Sequence, residues 1–293
     1  MPIEPLCCPR CGRPGRPGED GFEGGLDAPG VVTIHCICGE KSVLSGAAVR
    51  DQLVLSSNSF VRLIALSNFV ATGEITVELG AVGVIKLERP LDHLCRVFLT
   101  AIGAPVAFKS DYRGGDEIDV FAGVHPGVTR PDGPVKASWL VYGLVDAQSL
   151  STWFVHFYAA TTHLENGLFK SSLLDYATAF EVFVEQLLTT ALTSRFGADA
   201  CSYMLGRANR LDERVKQLMK LAIGAALTEE PTVYQPWDRD VREPRNRLAH
   251  GEQVHLDREG ALRAHVATYQ AIRWLEDRAM TAGTGVAPAI PGA

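Results

Sequence analysis

The segment Val241-Arg242-Glu243-Pro244-Arg245-Asn246-Arg247-Leu248-Ala249-His250-Gly251 gathers residue types suited to proton transfer beside an anion. A histidine exchanges a proton near neutral pH. An arginine grips an oxyanion with paired N–H donors. Arg245 and His250 stand five positions apart. With 21 arginines and 8 histidines in 293 residues, such a pair is expected about half a time by chance, so the spacing alone carries little. Arg258 and His265 form a looser pair downstream. On a straight helix the side chains of Arg245 and His250 point about 140° apart. Pro244 disfavours helix at Glu243 and suits a first helical turn. Gly251 can end the helix directly after His250. The sequence therefore predicts a short, bounded turn. In it Asn246 can bridge the two side chains or an anion, and Arg242 and Arg247 can add contacts to the same anion. A structural reading stands beside this one. Arg245 can pair with Glu181 or Glu185 across a bundle, and His250 can cap a helix C-terminus, where a cation is favoured.

A second constellation is Cys8-Pro9-Arg10-Cys11-Gly12 with Cys36-Ile37-Cys38-Gly39. Two thiolates two residues apart can reach one ion from a tight turn, and the glycine lets the backbone fold over it. Cys8, Cys11, Cys36 and Cys38 make four sulfur ligands, the set for a closed, structural Zn2+ site with no open position for water. The second pair has one intervening residue instead of two. Cys7 and His35 are adjacent alternatives, so the ligand set stays open. Five of the seven cysteines fall within the first 38 residues. Cys95 and Cys201 stand alone in apolar surroundings and read as buried thiols.

These residues need scaffolds, and composition bounds them. The chain is 46% hydrophobic, ordinary for a folded protein and enough for more than one core. Its formal net charge of −6 argues against a nonspecific nucleic-acid coater, but not against a small local basic site. Apolar runs are broken before 18 residues, so no membrane span is expected. Met1 to Cys11 lacks the basic-then-apolar start of a secretory signal, which predicts the cytoplasm. There thiols stay reduced, so clustered cysteines point to metal. Gly-rich phosphate loops and His/Asp/Glu ligand spacings are absent, which speaks against a kinase, an ATPase or a metallohydrolase. His93, His125, His156 and His163 read as structural.

The expected class is α+β with several domains. Residues 1–46 form a cysteine-bearing unit resembling a zinc ribbon, with a loop over Gly12–Gly30 and a strand at Val31–Ile37. Residues 47–146 form a mainly β domain, a small antiparallel sheet or sandwich. Ile75–Leu79 and Val84–Glu88 alternate with period two around Gly80 and Gly83, a hairpin pattern. Further strands are predicted at Arg96–Ile102, Ile118–Ala122 and Ala137–Leu144, with turns at Tyr112–Asp116 and Thr129–Pro134. The stretch 47–72 fits either an amphipathic helix or strands. Residues 147–281 form a bundle of four or five helices. Leu173, Leu174, Ala177, Phe180, Val184, Leu187 and Leu188 make one stripe, Leu211, Val215, Leu218 and Ala222 another, and Leu262, Val266, Tyr269 and Ile272 a third. Trp153, Phe154, Phe157 and Tyr158 belong to an earlier helix. Gly197, Gly224 and Gly251 sit where helices should stop. Residues 282–293 read as a flexible tail.

Arg-Asn-x-x-x-His followed by Gly, late in a helical bundle, resembles the HEPN superfamily of ribonuclease domains. The helix Ser172–Leu188, with Glu181 and Glu185 among apolar residues, resembles the first core helix of that superfamily. The resemblance covers about residues 149–280. It implies a metal-independent endoribonuclease in which the RNA 2′-OH attacks, leaving a 2′,3′-cyclic phosphate and a 5′-hydroxyl. His250 would move the proton and Arg245 would stabilise transition-state charge, with Asn246 and Glu181 as further catalytic residues and Arg242 and Arg247 contacting RNA. It also implies a homodimer, an RNA substrate such as tRNA, and a toxin or anti-phage role with a phage-derived trigger or an antitoxin as regulatory partner. Some members are noncatalytic, so an adaptor whose bundle dimerises and whose zinc ribbon binds nucleic acid or protein is the alternative.

Overall fold

A computed structural model describes residues 6–7, 14–15, 22–24, 31–35, 38, 41–45, 47–56, 59–103, 105–124, 126–208 and 210–284. The chain is mixed α+β and forms two compact units, Met1–Ser149 and Leu150–Pro291. Nine residues of the expected tail, 285–293, lie outside the described set.

In the first unit β1 (Leu6–Cys7) pairs with β2 (Pro14–Gly15), and β3 (Phe22–Gly24), β4 (Val31–His35) and β5 (Lys41–Ser45) form an antiparallel sheet. The Gly/Pro-rich stretch read as loop thus contributes β2 and β3. The ambiguous stretch after it folds as two short helices, α1 (Ala47–Val54) and α2 (Ser59–Leu66), before the first long strand.

Five long strands follow: β6 (Phe69–Val77), β7 (Val82–Leu91), β8 (His93–Ile102), β9 (Val106–Val124) and β10 (Val135–Leu144). They form two antiparallel sheets, β6-β10-β8 and β7-β9. The hairpin expected between β6 and β7 is not formed, because β6 pairs with β10 and β7 with β9. Gly83 shows why these strands meet by their faces rather than their edges. A Cβ there would lie 2.7 Å from Val77 Cγ2, so only a bare backbone can pass that close. Val77, Ile85, Leu87, Ile118, Val120 and Val141 share one core. Burying these β-branched and aliphatic side chains holds the unit together, since each contributes about 1.5–3 kcal/mol.

The turn expected at Tyr112–Asp116 is absorbed into β9, where Gly114 and Gly115 take φ of +98° and +72°. This bend brings the Tyr112 hydroxyl 2.7 Å from Leu91 O, to which it donates, and 3.1 Å from Gly115 O. Burial first, and then the negative charge of Asp92, raises the Tyr112 pKa above 10.0. A raised phenol pKa favours the folded state while the phenol is neutral. Its contribution is therefore complete below pH 10 and is lost as pH rises through the folded value. The melting temperature of the β unit is expected to fall above about pH 10, and thermal scans of Tyr112→Phe should show a shallower fall there. Identical slopes would refute this.

The second unit is helical: α3 (Thr152–Glu165), α4 (Phe169–Phe196), α5 (Ala198–Arg207), α6 (Leu211–Glu213), α7 (Met219–Ile223), α8 (Pro231–Trp237), α9 (Glu243–Ala249) and α10 (Arg258–Thr281). α6 and α7 run as one helix through a π turn at Arg214–Leu218, as do α8 and α9 through Asp238–Arg242. Gly197, Gly224 and Gly251 end helices with φ of +86°, +74° and +80°, as their positions predicted. The α3 aromatics and the α4 stripe are buried, except Leu174, which is exposed. On α10 the buried face is Ala261, Ala264, His265, Thr268, Tyr269, Ile272 and Leu275. Leu262 and Val266 are only half-buried, so the stripe is rotated from the expected one.

Inside this core the Tyr176 hydroxyl lies 2.8 Å from His265 Nδ1 and 3.1 Å from Thr161 Oγ1. All three residues are fully buried. Tyr176→Phe removes both contacts of the hydroxyl while keeping the ring, and should cost about 1–3 kcal/mol of stability in urea unfolding. A change under about 0.5 kcal/mol would show that the network contributes little.

Candidate functional site

Phe180 of α4 and Trp237 of α8 pack with ring centroids 4.4 Å apart. This contact fixes the helix 231–249 against α4. Eight residues on from Trp237, just over two turns, the same helix brings Arg245 to Glu181, with Arg245 Nη2 3.0 Å from Glu181 Oε1. Arg245 Nη1 also donates to Asn246 Oδ1 at 3.3 Å. The pair is about one-third exposed on both sides, so its contribution to stability is small, about 0–1 kcal/mol. Its consequence is positional.

The sequence placed a helix start at Pro244, and this is corrected. Arg242 and Glu243 already have helical dihedrals, and the Glu243 N–H donates to Asp238 O, five residues back. Pro244 lacks the N–H that would reach Asp240. The widened π turn stands just where that bond is missing, and such turns recur at functional sites. It presents Arg242 inward, where Nε donates to Asp238 and Nη1 lies 3.0 Å from Asp212 Oδ1 and 3.2 Å from Oδ2. The Asp238 hydrogen bond raises the Arg242 pKa, so this guanidinium stays charged.

Ala177, Glu181, Arg210, Leu211, Asp212, Trp237, Val241, Arg242, Arg245 and Asn246 line one cleft of about 370 Å3. Four of the residues singled out by sequence therefore share a wall: Arg245, Asn246, Glu181 and Arg242. Arg210, Leu211, Asp212 and Trp237 were missed. Asp238 and Arg242 carry an i,i+4 signal in sequence. The Asp212–Arg242 contact spans 30 residues and leaves none.

His250 and Arg247 are not among the residues lining this cleft. His250 is exposed and closes the helix: its N–H donates to Asn246 O, the Gly251 N–H to Leu248 O and the Glu252 N–H to Arg247 O. This is a Schellman ending, which needs a residue such as Gly251 in the left-handed region. The backbone of His250 is thus fixed while its imidazole is open to solvent at a helix C-terminus. Arg247 pairs with Glu252 at 2.8 Å across that ending, and this hydrogen bond raises its pKa. Glu185 does not reach Arg245 but pairs with Arg214.

Three of the four expected zinc ligands, Cys8, Cys11 and Cys36, lie outside the described residues, and Cys38 is half-buried in a turn. The strands around them are informative. Cys7 pairs with Pro14, so residues 8–13 connect β1 to β2. His35 pairs with Lys41, so residues 36–40 connect β4 to β5. Among the described residues no group of three or more His, Cys, Asp or Glu is placed to hold a metal, and no helix is long and apolar enough to cross a membrane.

No protein-family model, curated protein or solved structure matches the chain.

Proposed function

We propose that the helical unit is a HEPN-type, metal-independent endoribonuclease that cleaves RNA, with tRNA as a candidate substrate. The observation that carries this reading is the cleft that gathers Arg242, Arg245 and Asn246 on one helix against Glu181, with His250 solvent-accessible at the end of that same helix. RNA brings its own nucleophile. His250 exchanges the proton of the 2′-OH or of the leaving 5′-oxygen. Arg245 donates to the phosphate oxygens and stabilises the charge that builds in the transition state. Asn246 and Glu181 orient Arg245, and Arg242 and Arg247 attract the backbone. Because His250 is not part of the cleft wall, the active form proposed is a homodimer in which the His250 of one subunit meets the cleft of the other. A twofold arrangement would also concentrate positive charge on a chain that is acidic overall.

In this reading the N-terminal unit holds one structural Zn2+ through Cys8, Cys11, Cys36 and Cys38. With the β strands, it senses a trigger or a regulatory partner in a toxin or phage-defence setting. The zinc would supply folding energy, not chemistry.

A second reading, a noncatalytic adaptor, draws on specific contacts. Arg245 is engaged by Glu181, Arg242 by Asp212 and Asp238, and Arg247 by Glu252, which is what structural ion pairs look like. Incubation of the purified protein with total RNA and pooled tRNA in EDTA separates the two. The nuclease reading expects cleavage that survives chelation and leaves cyclic-phosphate ends. Cleavage that needs a divalent cation, or ends bearing a 5′-phosphate, would refute it.

A further inference from the structure

We propose that Pro244 is a positioning residue: it locks the extra residue of the π turn Asp238–Arg242 on the N-terminal side of Arg245, and so turns Arg242 and Arg245 into the cleft. The catalytic consequence rests on the nuclease reading above, but the helix register does not.

The inner side of the helix 231–249 repeats every four residues. Val233, Trp237 and Val241 are buried. Arg245, next in the series, lines the cleft with Val241 and reaches Glu181. An α-helix turns about 100° per residue, so each step of four drifts by about 40° and three steps by about 120°. On a plain α-helix with Val233 facing the core, Arg245 would point along the surface. A π turn takes one extra residue for the same rotation, which gives back about 100° of that drift. The Glu243 N–H donates to Asp238 O, five residues back, and this one widened turn keeps Arg245 on the face of Val233 and Val241. Helix 211–223 shows the same relation. Its buried Val215, Met219 and Ile223 are also four apart, and it carries a π turn at Arg214–Leu218 with no proline beside it. The spacing therefore calls for the extra residue, and in the helix 231–249 the proline decides where it sits.

Two places would serve the apolar core. With the extra residue before Pro244, as observed, Arg242 meets Asp212 and Arg245 meets Glu181. With it after Arg245, Trp237 and Val241 would still lie about 40° apart and stay inside. Arg242 and Arg245 would each swing about 100° away, and Pro244 would take the place of Arg245 at the cleft wall. The ion pairs oppose that slip only weakly, because their side chains are 27% to 38% exposed and such pairs contribute little. Pro244 opposes it strongly. Inside a plain α-helix its ring collides with the carbonyl four residues back, that of Asp240, and the widened turn relieves this collision. Pro244 thus acts through the two arginines and not on the substrate.

The test compares full-length Pro244→Ala with a double variant that carries Pro244→Ala and also lacks Arg239. Arg239 is exposed, and without it Asp238 and Arg242 stand three apart and remain neighbours on a helix. Pro244→Ala releases the extra residue. Single-turnover RNA cleavage should fall about tenfold as the slipped register takes over. The urea midpoint should hold or rise, because alanine favours helix where proline does not. Removing Arg239 as well takes out the residue that the π turn absorbs. A plain α-helix then returns both arginines to the cleft, and cleavage should recover to within about threefold of the wild type. A proline that served stability alone would give the opposite order, with the double variant the worse of the two. Crystal structures read the register without activity: Arg245 off Glu181 in Pro244→Ala, and back on it with no π turn in the double variant. Unchanged or faster cleavage in Pro244→Ala, Arg245 still on Glu181 in its structure, or a double variant that neither folds nor recovers would overturn the lock. If the wild type cleaves no RNA, the nuclease reading fails by itself and the two structures decide the lock.

Discussion

His250→Ala should lower RNA cleavage by about 10²–10⁴-fold, the usual contribution of a positioned general acid or base. The fold should survive the change. The helix ending around His250 is built from backbone hydrogen bonds and from the left-handed Gly251, and the imidazole is exposed, so stability should move by no more than about 0.5 kcal/mol. Arg245→Ala should cost about 10²–10³-fold in kcat, as does removal of one donor to a developing oxyanion. Arg245→Lys should recover little of it, since an ammonium lacks the planar fork. Glu181→Gln divides the roles further. If Glu181 only holds Arg245, the amide oxygen keeps one hydrogen bond and most of the activity. If it moves a proton, activity falls as far as in His250→Ala and the pH–rate profile loses a limb. Single-turnover cleavage of a defined tRNA, with folding and dimerisation checked for each variant, reads all four. Full activity in folded His250→Ala would end the nuclease reading.

Much of the architecture was legible because periodicity is a local signal. The α4 stripe, the α3 aromatics and the three helix-ending glycines could be read without knowing any partner. Most long strands were legible, but β2 and β3 were read as loop and the middle of β9 as a turn, and pairing was not legible. Ile75–Leu79 and Val84–Glu88 alternate cleanly, yet their partners are β10 and β9, which lie far along the chain. Alternation says that a strand has two faces, not which edge it pairs. The same limit applies to the site. Arg245, Asn246 and Arg242 stood out through the residue types of their segment and the family it resembles, not through spacing alone, and the Arg245–Glu181 pair was one of two named options. Arg210, Asp212 and Trp237 enter the cleft only through tertiary packing. Pro244 misled for a physical reason: proline normally opens a helix, whereas here a π turn takes up the missing hydrogen bond and the helix runs through.

Removing zinc should unfold the N-terminal strands while leaving the helical unit intact. β1 and β2 are two residues each, and the sheet β3-β4-β5 has strands of three to five residues. A segment of about 40 residues lacks the volume for an independent core and usually needs a metal or disulfides. Structural zinc in small knuckle folds supplies apparent free energies of about 10–16 kcal/mol at neutral pH, far more than these short ladders can replace. The full-length protein should therefore carry about one zinc per chain. Cys11→Ser and Cys36→Ser should each abolish stoichiometric zinc and increase amide exchange at Val31–His35 and Lys41–Ser45. Cys7→Ser should keep the metal, because Cys7 sits in the β1 ladder opposite Pro14 and precedes the connection that holds Cys8 and Cys11. Exchange in α4 and α10 should not change in any of these variants. Cleavage in EDTA should persist if the metal only folds the N-terminal unit. Metal analysis of protein produced in zinc-replete medium decides the matter: less than about 0.1 zinc per chain, or undisturbed exchange in Cys11→Ser, would mean that the two cysteine pairs are not a zinc site.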